Sequence, residues 1–338
     1  MDLLTSFLSA DFMDKPAWVW LTFVGIVIAL LAFDLGVLHK EDKEIGVRES
    51  LLLSGGYISA ALLFGAWVWW YLGAESGMDY YTGFMIEKSL SMDNVFVIAL
   101  IFTFFAIPRQ YQHRVLFWGI LGAIVLRGIM IALGATLVSQ FSWVLYLFGA
   151  FLIFTGIKMW IIADHSPDIA NNPLLKFLKR HMRVVEGLRG NAFWVREPDS
   201  KTGKLERFAT PLFLALVLVE FVDLIFAVDS VPAIFAITTD PFIVYTSNIF
   251  AILGLRALYF ALAAVIERFR YLKPALAVVL IFIGSKIFVA DLLGWEKFPP
   301  ALSLGATFAI LAAGVVWSLV KTRAPASSAL AGEGPDAR

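Results

Sequence analysis

Cysteine is absent from the chain, which excludes disulfide bonds and thiolate metal sites. Histidine is scarce as well: His39, His113, His165 and His181 are the only four, and all fall in segments that read as loops, so no imidazole is expected in an apolar span. Charged residues make up 16% of the chain, well below the rough quarter found in soluble domains. The 27 basic residues balance the 27 acidic ones, so net charge points to neither a nucleic-acid partner nor an acidic ligand. The opening stretch MDLLTSFLSADFMDK lacks both a basic leader and a clear small-residue cleavage site, and does not read as a cleaved signal peptide.

Apolar residues are what the chain has in excess: 60% are hydrophobic, 15% are aromatic, and the mean hydropathy is +0.80. They fall into blocks of about 20, enough to cross a hydrocarbon layer of about 30 Å. The lipid bilayer is therefore the solvent, and helices must carry the fold because lipid satisfies no backbone polar groups. The pattern predicts an all-α polytopic membrane protein with about nine spans, near 18–38, 50–72, 82–106, 115–137, 142–163, 208–237, 241–266, 274–292 and 300–320. Together residues 1–323 read as a single transmembrane transporter domain.

Connections rich in Lys and Arg alternate with connections nearly free of them. Basic residues favour the cytoplasm, so the amino terminus is expected outside, the carboxy terminus inside, and the whole in a bacterial cytoplasmic membrane. Trp67, Trp69, Trp70, Tyr71, Trp118, Trp143 and Trp160 gather at span ends and read as interface anchors. Residues 164–206 form a cytoplasmic loop in which LLKFLKRHMRVVEGL, 174–188, is either a helix on the anionic leaflet or a solvated linker helix. Residues 324–338, small and polar, read as a disordered tail.

Two stretches of the chain, 82–163 and 207–292, match at three places in the same order. EKSLSMDNVF, LRGIMIAL and LIFTGIK in the first correspond to DLIFAVDSVP, LRALYFAL and LIFIGSK in the second. The match pairs Glu87 with Asp223, Asp93 with Asp229, Asn94 with Ser230, Arg127 with Arg256 and Lys158 with Lys286. Each copy holds three helices, an odd number, so the second should enter the membrane in the opposite direction. This 3+3 inverted repeat is an architecture of many secondary transporters, and its pseudo-twofold axis would bring the first helices of both copies together near the midplane.

Those first helices carry the intramembrane acids. Glu87, Asp93, Glu220, Asp223 and Asp229 would each cost about 2.5 kcal/mol or more if they faced lipid while ionised. Helix-holding ion pairs with Lys88, Arg127 and Arg256 account for some of them, but the acids outnumber these bases, and a cation or proton pathway accounts for the rest. On a regular helix Asp93 is turned roughly 120° from Glu87, and Asp229 about 180° from Glu220, so aiming each set at one ion requires unwinding. Pro232 is the expected agent of that break, with Ser89, Ser91 and Asn94 as the polar counterpart in the first copy. Carboxylate, amide and hydroxyl oxygens suit hard cations such as Mn, Ca or Mg, while Met92 beside Asp93 is either filler or a soft contact favouring Mn. Arg127 and Arg256 need counter-ions, for which these acids are the candidates; Lys158, Lys286 and Asp34 sit close enough to span ends to be interfacial.

The strings EKSLSMDNVFV at 87–97 and VEFVDLIFAVDSVPAI at 219–234 resemble the two hallmark segments of the TerC family of integral membrane proteins, with DLGVLHK at 34–40 adding to the likeness. The resemblance implies manganese export along an acidic path. Carried over, the metal-binding set is Glu87, Asp93, Asn94, Glu220, Asp223, Asp229 and Ser230. No resident cofactor and no enzymatic activity are expected; the partners are the divalent cation, Mn2+ foremost, and protons, because metal ligation requires deprotonated carboxylates. Two other classes compete. An intramembrane aspartyl protease also needs two embedded aspartates, but the GxGD motif of that class is missing. A membrane scaffold of a metal or tellurite stress-response complex would keep the acids without transport.

Overall fold

A computed structural model of the protein describes residues 8–13, 15–38, 46–161, 168–198, 203–262 and 272–321. The tail at 324–338, His39, His165 and the connection 263–271 lie outside the described residues. A short antiparallel pair, β1 (Asp11–Phe12) and β2 (Lys15–Pro16), precedes α1 (Ala17–Leu38), α2 (Val47–Leu72), α3 (Ala74–Phe104), α4 (Arg109–Gln140) and α5 (Val144–Ile161). An excursion holds α6 (Pro173–His181) and a hairpin of β3 (Trp194–Pro198) with β4 (Leu205–Ala209). Then follow α7 (Pro211–Phe235), α8 (Pro241–Ile252), α9 (Leu255–Leu262), α10 (Leu272–Leu292) and α11 (Pro300–Lys321).

Among the described residues eight helical segments are long and apolar enough to cross a membrane, α8 and α9 counting together as one. The 31-residue α3 is as long as its neighbours and packs among them; its polar and charged residues keep it out of that group. All-α polytopic architecture is therefore what the chain adopts. The outer surface is apolar, with Leu63, Phe154, Ile161 and Phe308 more than 60% exposed, as lipid-facing residues must be. Trp70 and Trp160 are likewise exposed, whereas Trp67 stacks on Tyr71 with ring centroids 5.4 Å apart.

The interior is built around α8 and α9. Residues 241–262 are 94% buried, while no other spanning segment exceeds 50%. α3 packs on α8 and α4 on α7, α3 meets α7, and α5 lies along α10. That last contact is close because glycines line it: a Cβ on Gly156 would stand 2.8 Å from the Ala277 carbonyl oxygen, and one on Gly149 would stand 3.0 Å from that of Gly284. The contacts are reciprocal between the two matching stretches, each copy's first helix resting on the other's second.

Three expectations need correction. The third span begins at Ala74 rather than 82, because Glu75 and Asp79, which look like loop residues, are paired by Lys297 at the helix end. The seventh span is broken at Leu253 and Gly254, where Gly254 has φ +80°. Within the loop, the helix expected over 174–188 stops at His181, because the chain then turns to pair with β4: Ala209 N donates to Arg183 O and Val185 N to Ala209 O. Asn172 caps α6 through its side-chain oxygen, and Leu175 and Leu178 bury the helix's apolar side against the protein rather than leaving it free.

Candidate cation site

Glu87 and Asn94 are seven residues apart on α3, and so are Asp223 and Ser230 on α7. Seven residues are nearly two turns, so each pair shares a face to within about 20°. Both faces meet Arg127 of α4. Its Nε and Nη2 donate to the two carboxylate oxygens of Asp223, at 3.3 and 3.0 Å. Nη1 bonds Glu87 and reaches Ser230 Oγ at 3.3 Å and Asn248 Oδ1 at 3.4 Å. Asn94 Nδ2 donates to Asp223 Oδ1 at 3.2 Å. Arg127, Glu87, Asn94, Asp223, Ser230 and Asn248 are all buried.

Three oxygens in this region are buried with no donor: Glu87 Oε2, Asn94 Oδ1 and Glu220 Oε2. A cavity of about 20 Å³ opens beside Asn94 and Asp223, walled by apolar residues of α3, α4 and α7 such as Ile98, Leu116 and Val219, and is large enough for one water-sized particle. Glu220, one turn from Asp223, lies against Gly122 of α4 so closely that a Cβ there would overlap its carboxylate. Among the described residues no three Asp, Glu, His or Cys side chains converge on a single point. The donors facing the cavity are thus the Asp223 carboxylate and the Asn94 amide, whose oxygens are hard ligands.

The other acids expected at the site stand elsewhere, so the expected set is divided. Asp93 faces α10, where Lys273 is its electrostatic partner. Asp229 accepts from Thr155 Oγ1 of α5 at 3.3 Å and interacts with Lys158. No unwinding brings them in: α3 runs unbroken through residues 87–94, and α7 continues through Pro232 to Phe235. Pro232 sits in the last turn, where it removes one amide donor and little helix remains to disrupt. Straight helices divide the acids by their angular positions, Glu87 and Asp223 inward, Asp93 and Asp229 toward α10 and α5.

A model of the integral membrane protein TerC family matches residues 72–326. The chain belongs to the TerC family. An uncharacterized membrane protein of Rickettsia bellii is 47% identical over 302 residues, covering 89% of this chain and 97% of that one. Proteins of Photorhabdus laumondii and Escherichia coli K12, provisionally named membrane-bound redox modulator Alx, are also 47% identical, over 303 and 302 residues, covering 87% of this chain and 92% and 91% of theirs. No solved structure matches the chain.

Sequence reasoning missed part of the centre of this TerC protein. Arg127, expected only as a counter-ion to the acids, gathers Glu87, Asp223, Ser230 and Asn248, and Asn248 escaped notice. An amide in the apolar run PFIVYTSNIFAI carries the same desolvation argument as the acids, and that signal could have found it. Arg256, the repeat partner of Arg127, does not share the site acids: just past the Gly254 break, it pairs with Asp34 at 2.5 Å and with the Asp34 carbonyl at 3.0 Å. Asp34 is consequently buried rather than interfacial, and so is Lys286, which donates to Ser303 Oγ at 3.0 Å. Lys88 leaves the acids too, donating to the Ala251 carbonyl at the end of α8 at 3.2 Å.

At the end of the bundle opposite the excursion a vestibule of about 810 Å³ opens, with Lys15, Asp79, Asp240, Lys286 and Asp291 in its wall. Lys297 spans Glu75 and Asp79 at 2.6 and 2.7 Å. Burial pushes its amine down, but the bonds to Asp79 and Glu75 outweigh this and hold it above its ordinary range. Phe235 at the end of α7 and the two residues after it line the vestibule.

Proposed function

We propose that the protein transports divalent metal cations, that it exports manganese from the bacterial cytoplasm, and that protons move in exchange. The observation that carries this reading is the pair of donorless oxygens, Glu87 Oε2 and Asn94 Oδ1, within the polar cluster at the α3–α4–α7 junction, where Asn94 and Asp223 border a small cavity. An acceptor buried without a partner costs about 1–3 kcal/mol, more when charged, and is retained where a ligand completes it. A desolvated hard cation is such a ligand. Preference for manganese and the outward direction rest on the TerC resemblance. The reading places the excursion in the cytoplasm and the vestibule outside, the amino terminus outside and the carboxy terminus inside, with the copies inverted about an axis between α3 and α7. It needs neither a resident cofactor nor an enzymatic step. The redox role named for the Alx relatives cannot run through thiol exchange in a chain without cysteine.

The test is metal flux by the purified protein in liposomes, with Mn, Ca, Mg, Zn and Fe offered in turn. Manganese is expected to move fastest, and Glu87→Gln to abolish its movement while the protein remains monodisperse. Absence of flux for every ion sinks the reading and leaves the scaffold. Because protons compete for carboxylate ligands, Mn2+ binding at fixed free metal should weaken between about pH 8 and about pH 6. Binding that is flat over that interval removes the basis for proton exchange.

A further inference from the structure

Three carboxylates, Glu87, Asp223 and Glu220, lie between α3, α4 and α7, and one guanidinium, Arg127, lies among them. Other intramembrane acids nearby are matched in their own places: Asp93 by Lys273, Asp229 by Lys158 and Asp34 by Arg256. Lys88 is spent on the carbonyl end of α8, where the helix dipole is negative. With all three acids ionised, the one guanidinium leaves the region a net charge of −2. The arginine cannot shed its charge, and its fork is fully engaged, two nitrogens on Asp223 and the third on Glu87, Ser230 and Asn248.

We infer that Arg127 sets the valence of the cargo: by fixing the buried acids at −2 it makes the site neutral with a divalent cation and uncompensated with a trivalent or monovalent one. In a medium of low dielectric each uncompensated unit charge is costly, so the count, beyond the identity of the ligating atoms, discriminates between ions. Arg127 is thus a specificity residue, acting on the ion through the field of the acids it pairs with. The inference rests on the metal-transport reading above, and deepens it.

The experiment compares affinities of the purified full-length protein for Mn2+ and for Tb3+, a hard trivalent probe with luminescence of its own, and reads the ratio of the two Kd values. Arg127→Gln leaves −3 and should shift the ratio toward Tb3+ by about tenfold or more. Arg127→Lys keeps the charge without the fork and should return the ratio to that of the unaltered protein even if both affinities fall. Glu220→Gln leaves −1, and should shift the ratio toward Mn2+ by a similar factor. A ratio unchanged in R127Q and E220Q overturns the inference, as does a ratio that moves equally in R127Q and R127K, since geometry rather than charge would then decide. Should R127Q fail to fold, E220Q decides alone, its side chain being half-buried with one oxygen already unbonded. If the unaltered protein binds no Mn2+ and moves none, the transport reading falls and takes the inference with it; if it does both while the ratios stay fixed, the inference alone falls.

Discussion

At Asp223 two nitrogens of one guanidinium meet the two oxygens of one carboxylate, and burial excludes the water that would replace either partner. Breaking such a pair strands a charge. Asp223→Asn should therefore cost about 3–5 kcal/mol of stability, seen as a lower thermal midpoint in detergent, along with loss of manganese flux. Asp229→Asn gives up only a 3.3 Å bond from Thr155 and an exposed lysine's field, so its cost should be nearer about 1 kcal/mol. Equal severity in the two variants would move the ion path toward α5. Gly122 supplies a second residue-scale check: its missing Cβ is where the Glu220 carboxylate lies, so Gly122→Val should push Glu220 away and weaken Mn2+ binding in a titration. The acids were legible in the sequence because each violates its apolar setting, and so was the i, i+7 pairing of Glu87 with Asn94 and of Asp223 with Ser230. Asn248 and the dominance of Arg127 were not, since which buried polar groups meet depends on helix rotation rather than on depth in the span.

Helix continuity follows backbone chemistry at two positions that sequence alone weighs the wrong way. Pro232 is the conspicuous breaker, yet it falls in the final turn of α7 and ends a helix that was ending anyway. Gly254, one of 25 glycines, is the residue that breaks a span, because the chain there takes φ +80° and its Cα lies against Tyr57, whose ring a Cβ would meet at 2.7 Å. An L side chain at that φ costs about 1–2 kcal/mol before any clash is counted. Gly254→Ala should accordingly lower the thermal midpoint, whereas Gly305→Ala in α11, with open space around it, should hold or raise it, since alanine favours a helix by about 1 kcal/mol over glycine. A harmless G254A would mean that the break between α8 and α9 is not fixed by this residue. The functional consequence belongs to the same element: the break directs Arg256 to Asp34, so of two arginines at matching repeat positions one enters the acid cluster and the other fastens α9 to α1.

For the whole molecule, the proposed orientation rests on span count and charge placement together. In that proposal the eight apolar spans among the described residues and the charged α3 all cross, an odd number that would put the termini on opposite sides. The excursion between α5 and α7 carries Lys176, Lys179, Arg180, Arg183 and Arg207, whereas the joint between α4 and α5, residues 141–143, carries no basic residue at all. Basic connections favour the cytoplasm, and on that rule the vestibule and the exposed Ser142 are expected outside and Asn171 inside. A chain that lacks cysteine makes this directly measurable, because any thiol introduced is the sole one. In intact cells a membrane-impermeant maleimide should label S142C and leave N171C unlabelled until the cells are opened. The opposite pattern would invert the whole assignment and turn the vestibule toward the cytoplasm, making it the intake of an exporter rather than its outlet. Labelling of both in intact cells would instead mean that the chain crosses the membrane an even number of times between the two positions. The nine-span count read from hydropathy would then fail at α5, the one crossing that separates them.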